Sequence, residues 1–69
     1  MICGITLSVE IVLANIHIIG EALGDYKFVD GMYIGDCGTL SAVDQQRSTW
    51  YLMLNDEKKL TMLMLKLNL

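Results

Sequence analysis

The stretch "YKFVDGMYIG", residues 26–35, decides the fold class. Asp30-Gly31 sits between two short apolar runs, and an Asp-Gly pair in that setting is a strong short-range signal for a two-residue type I′ hairpin turn. Glycine takes up the positive φ at little cost. A two-residue loop sets Val29 opposite Met32, Phe28 opposite Tyr33 and Lys27 opposite Ile34. Running one continuous strand through the stretch would instead put Asp30 on the same face as Phe28 and Met32. That buries an unpaired carboxylate, a cost of several kcal/mol in order of magnitude.

Downstream of the hairpin, "TLSAV" (39–43) reads as a further strand and the polar run "DQQRS" (44–48) as a turn. Trp50, Leu52 and Leu54 then alternate with Tyr51 and Met53, the period of a half-buried strand. In the tail "LTMLMLKLNL" (60–69), Leu63, Leu65, Leu67 and Leu69 alternate with Met62, Met64, Lys66 and Asn68. A tight loop through "NDEKK" pairs the two runs as a second hairpin. Trp50, Leu52 and Leu54 then share a core face with Thr61, Leu63 and Leu65. The opposite face, with Tyr51, Met53, Leu60, Met62 and Met64, is apolar too, and these five form the candidate interface. Leu, Met and Lys are also good helix formers, and Asn55-Asp56-Glu57 can start a helix. Such a helix would be apolar almost all round from Leu60 to Leu65, which only deep burial tolerates, so the strand is the expectation.

Upstream, Ile5, Leu7, Val9, Ile11 and Leu13 alternate with Thr6, Ser8 and Glu10. This predicts a long first strand. Its phase slips after Ala14, because Ile16 and Ile18 fall on even positions, so a bulge is expected at Ala14-Asn15. The same apolar opening lacks the basic start of a secretory signal, and Glu10, Asn15 and His17 interrupt it as a membrane span.

A chain of 69 residues allows one small domain, residues 1–69, and buries only about 60% of the surface its unfolded form exposes. With 54% hydrophobic and 19% charged residues, there is more apolar side chain than one small core can hide. Association is the expected remedy. The net charge of −3, with five scattered basic residues, offers no footprint for phosphates. Tyr26, Phe28 and Tyr33 would share one hairpin face, but without a basic rim they read as packing rather than as a base-stacking platform. No nucleic acid partner is expected.

Catalytic and metal chemistry find no constellation. His17 is the single histidine and has no evident orienting partner. Cys3, Cys37 and His17 lack the number and the paired spacing of zinc ligands. Asp25, Asp30 and Asp36 do not follow the spacing of a calcium loop. Gly31, Gly35 and Gly38 do not form a dinucleotide fingerprint. Hence no catalytic residue, metal or cofactor is expected, and the protein reads as a non-enzyme. Two cysteines without a C-x-x-C motif suit a reduced, cytoplasmic protein.

Residues 30–65 resemble a bacterial lipocalin-like β-meander. A strand ending near Gly38-Thr39 is followed by Thr49-Trp50-x-Leu52, then by a hairpin into Lys59-Leu60-Thr61. The resemblance implies an apolar ligand held in a barrel, although the chain is far shorter than closure of about eight strands requires. The fold expected is mainly β: a small antiparallel meander or half-barrel of about five or six strands with two tight hairpins. The function expected is self-association or protein binding through an apolar sheet face, with an apolar-ligand binder as the alternative.

Overall fold

The computed structural model describes residues 3–69, with nothing to be said of the Cys3 side chain. Met1 and Ile2, the start of the apolar opening, lie outside the described residues. Five strands, β1 (Cys3–Ser8), β2 (Lys27–Val29), β3 (Met32–Ile34), β4 (Gly38–Ala42) and β5 (Thr49–Leu54), form one antiparallel sheet in the order β1-β5-β4-β3-β2. The sheet stays open, with β1 and β2 as its edges. Three helices, α1 (Val9–Ala14), α2 (Ile16–Leu23) and α3 (Glu57–Lys66), complete the chain.

The hairpin at Asp30-Gly31 has the anticipated register, with Lys27 opposite Ile34, Phe28 opposite Tyr33 and Val29 opposite Met32. Both turn residues take positive φ, 51° at Asp30 and 78° at Gly31, as a type I′ turn demands. β4 and β5 also fall where expected. The loop between them is built on Asp44, whose carboxylate accepts from the amides of Ser48 (2.9 Å) and Thr49 (3.2 Å) and from the Ser48 hydroxyl. These bonds, the Ser48 hydroxyl first, hold the Asp44 carboxyl below the usual aspartate range. Arg47 ties this loop to the hairpin tip: its guanidinium donates to the Gly31 carbonyl at 2.9 Å and lies 5.2 Å from the centre of the Trp50 ring.

Two segments differ from the sequence expectation. The long first strand stops at Ser8, and residues 9–23 are helical. The Ser8 hydroxyl accepts from the Ile11 amide and caps α1, with Glu10 in the first turn. The slip in apolar phase, expected as a bulge, is the break between two helices. There the Asn15 amide reaches back to the Ile11 and Val12 carbonyls, and its own carbonyl accepts from Ile19. Val12, Ile19 and Leu23 face inward, while Leu13 is left 68% exposed. Burial on a helical period has overridden the β-preference of a segment rich in isoleucine and valine.

The tail is the second correction. Residues 57–66 form a helix, not the second strand of a hairpin with β5. Asp56 caps it by accepting from the Lys58 amide at 2.9 Å, and Glu57 and Lys66 complement the dipole at its two ends. Leu60, Leu63 and Leu67 are buried at helical spacing, whereas Leu65, expected in the core, is 70% exposed. The supposed all-round burial is unnecessary because Met62 and Leu65 stay outside.

Topology explains why helices are required. β1 pairs with β5 at one edge, yet the next strand, β2, lies at the other, so the chain must cross the sheet. α1 and α2 make that crossing, and α3 returns beside α2. Their inward residues join Leu7, Leu40, Trp50, Leu52 and Leu54 in one core on one face of the sheet.

Candidate binding face

Strand parity defines the opposite face. Because Leu7, Leu40, Trp50, Leu52 and Leu54 point into the core, their neighbours along each strand point away from it. The outward set is Gly4, Thr6 and Ser8 on β1, Thr49, Tyr51 and Met53 on β5, and Thr39 and Ser41 on β4. Met32 and Ile34 on β3 and Lys27 and Val29 on β2 complete it. Met53 lies directly opposite Gly4 and Thr39, at the centre of the sheet. Tyr51 leans across β1, and its ring and hydroxyl occupy the space that a Cβ on Gly4 would need. Glycine at that position lets the aromatic ring lie flat over the strand. Val29 and Ile34 are exposed, and Met32, Tyr51 and Met53 are half-buried among their neighbours. Among the described residues, Lys27 is the single charged side chain that the strands bring to this face.

The five candidate interface residues do not share one surface. Tyr51 and Met53 lie on the open face. Leu60 is in the core, Met64 is partly buried against it, and Met62 is exposed on α3, on the helix side of the sheet. The helix at 57–66 accounts for the division: strand alternation would have kept Met62 and Met64 beside Tyr51 and Met53. Val29, Met32 and Ile34 join the open face instead. The hairpin register foretells that they lie together, but their place beside Met53 follows only from the β3–β4 and β4–β5 pairings.

On the core side, Tyr33 gathers the aromatic residues of the hairpin. Its ring centre lies 4.9 Å from Phe28, 5.8 Å from Tyr26 and 6.3 Å from Trp50. This is the shared hairpin face anticipated from the sequence, set at the margin of the core, and Phe28 remains exposed there. His17 is exposed on α2 beside a shallow groove that Glu21 and Tyr26 also line. Cys37 is a half-exposed free thiol whose sulfur accepts from the Lys59 ammonium at 3.3 Å. No group of three or more His, Cys, Asp or Glu able to hold a metal occurs among the described residues. No helix among them is long and apolar enough to cross a membrane.

No protein-family model, curated protein or solved structure matches the chain. The open face is therefore read from its own geometry.

Proposed function

We propose that this protein acts by association, without a catalytic step, and that the open sheet face is where a second copy docks. The observation that carries this reading is that all three helices gather on one side of a five-stranded sheet. Val29, Met32, Ile34, Tyr51 and Met53 are thereby left without cover from the chain's own helices. Two such faces packed about 10 Å apart make an aligned sheet sandwich. Charge supports a copy of the chain as the partner. A face whose strands contribute Lys27 and no acid offers nothing to a strongly charged partner, and two copies meet without opposing carboxylates. The two cysteines, with no paired motif, support a cytoplasmic setting for it.

The test is mass in solution at micromolar concentration for the parent and for Met53→Lys. Methionine suits an adaptable contact surface, and lysine at the centre of a dry sheet-on-sheet contact would be desolvated without a partner. The parent is expected to associate. Met53→Lys is expected to keep the parent's circular dichroism and thermal midpoint while losing the face contact. A folded Met53→Lys with the parent's mass would refute the reading. Binding of an apolar ligand, the alternative implied by the lipocalin-like resemblance, has no closed barrel to use in a single open sheet.

A further inference from the structure

The two edges of the sheet are unlike. β2 is three residues long, contains Lys27 and lies between Asp25 and Asp30, which are common guards against edge pairing. β1 is six residues long and carries neither charge nor proline. Among the described residues, its backbone bonds run to β5 alone.

The phase of the ladder shows which backbone groups of β1 point outward. The Val9 amide donates to the Ser48 carbonyl at 2.8 Å, and the β1–β5 register, extended by one residue beyond Ser8 opposite Thr49, sets these two directly opposite. Hydrogen-bonded pairs alternate along an antiparallel ladder, so Leu7, Ile5 and Cys3 bond inward to β5. Gly4, Thr6 and Ser8 turn their amides and carbonyls away. The far side of β5 agrees: the Val43 amide donates to the Thr49 carbonyl at 2.9 Å, which assigns Thr49, Tyr51 and Met53 to β4 and leaves Trp50, Leu52 and Leu54 for β1.

We infer that β1 is a self-pairing edge: two copies align it antiparallel about a two-fold axis, with Thr6 opposite Thr6, and join their sheets into one. Three features select this register. The outward-pointing residues fall opposite one another, Thr6 with Thr6 and Gly4 with Ser8, whereas a shift of one residue sets outward groups against inward ones. Every opposed pair shares a face, small residues on the open side and Ile5 with Leu7 on the core side, so the half-buried Ile5 gains a cross-strand neighbour. The strand meets its own copy without charge repulsion. The Thr6 pair exchanges two bonds, and each Ser8 amide donates to Gly4 of the other copy, about four bonds in all. The Ser8 carbonyl is not counted, since an N-cap carbonyl already accepts the first bond of its helix. This contact uses the rim of the sheet and is separate from the open face, which the two-fold axis leaves continuous across both copies.

Hydrogen exchange at Thr6 tests the pairing directly, because that amide has no partner within a single chain. In the parent at micromolar concentration the Thr6 and Ser8 amides are expected to exchange slowly, and dilution is expected to release them. Free exchange at Thr6 in the associated protein would overturn the inference. Thr6→Pro removes an outward donor and spares the β1–β5 ladder, a position that proline tolerates in an edge strand. Its expected mass is half that of the parent, with native dichroism. Should the proline variant fail to fold, Thr6→Lys keeps the amide and sets two like charges face to face on the axis, with the same loss of mass expected. A folded Thr6→Lys that keeps the parent's mass would also overturn the inference. Failure of the edge is distinct from failure of the face: Met53→Lys retains Thr6 protection if the edge pairs, and only the double variant is expected to be monomeric.

Discussion

Leu63→Ala against Leu65→Ala puts the tail helix to its sharpest test. Leu63 is 3% exposed and lies in the core with Leu60 and Leu67, whereas Leu65, two residues on, is 70% exposed. Leucine to alanine removes roughly three buried carbons at about 0.8 kcal/mol each, near 2.4 kcal/mol of lost transfer free energy. The residual cavity brings the total into the range of about 2.7 to 5 kcal/mol measured for such changes. A domain of this size is stable by about 0.05 to 0.15 kcal/mol per residue, so Leu63→Ala removes a third or more of the total. Leu65→Ala deletes carbons that already face water and is expected within about 0.5 kcal/mol of the parent. Urea unfolding followed by circular dichroism reads both, because the midpoint falls in proportion when the slope is unchanged. Comparable losses at Leu63 and Leu65, with Met64→Ala milder than either, would signify alternation at every second residue and refute the helix together with the core drawn from it.

The remaining expectations concern the turns. Gly31→Val places a β-branched residue at φ 78°, a region such side chains resist, and is expected to cost more than about 1 kcal/mol; a melt identical to the parent's would contradict the type I′ turn. The Asp44 carboxyl is held below its ordinary value by the Ser48 hydroxyl and the Thr49 and Ser48 amides. Its contribution to stability is therefore full above the unfolded value, near 3.9, and is lost as pH falls through the lower folded value. Stability measured between about pH 5 and 2 should fall less steeply in Asp44→Asn than in the parent, and parallel curves would show that the loop does not depend on the ionised carboxylate.

What the sequence disclosed depended on how local the decisive chemistry was. Asp30-Gly31 dictates its turn through backbone sterics alone, so the register from Lys27 to Ile34 could be read without any tertiary contact. β5 was legible for a similar reason: Trp50, Leu52 and Leu54 have a single periodicity, and Tyr51 and Met53 follow onto the open face. Residues 9–23 and 60–69 contain apolar residues at both two-residue and three-to-four-residue spacings. Leu63, Leu65 and Leu67 satisfy a strand, while Leu60, Leu63 and Leu67 satisfy a helix. The choice rests on the need to cross the sheet from the β1 edge to the β2 edge and to cover one face, which no single segment encodes. Small signals remained at the ends of these segments, in Ser8 and Glu10 before α1 and in Asp56 and Glu57 before α3. Each is a capping residue followed by an acid that favours the positive end of the dipole.

The placement of β1 beside β5 has a temporal side. The first strand to leave the ribosome finds its partner only after roughly 40 further residues have been made, whereas β4 and β5 are separated by a loop of about six. Closing the longer span costs roughly 1.5 to 2 kcal/mol more in chain entropy, by the logarithmic dependence on loop length. The meander from β2 to β5 can assemble from neighbours, and β1 seals it afterwards. Until then the outer side of β5 is an unsealed rim, shaped for a strand of the sequence Cys3–Ser8 and indifferent to which chain supplies it. Two chains finishing together can each lend that strand to the other, turning about Ser8 and Val9, so that late closure makes exchange of the N-terminal strand a competitor of correct monomer folding.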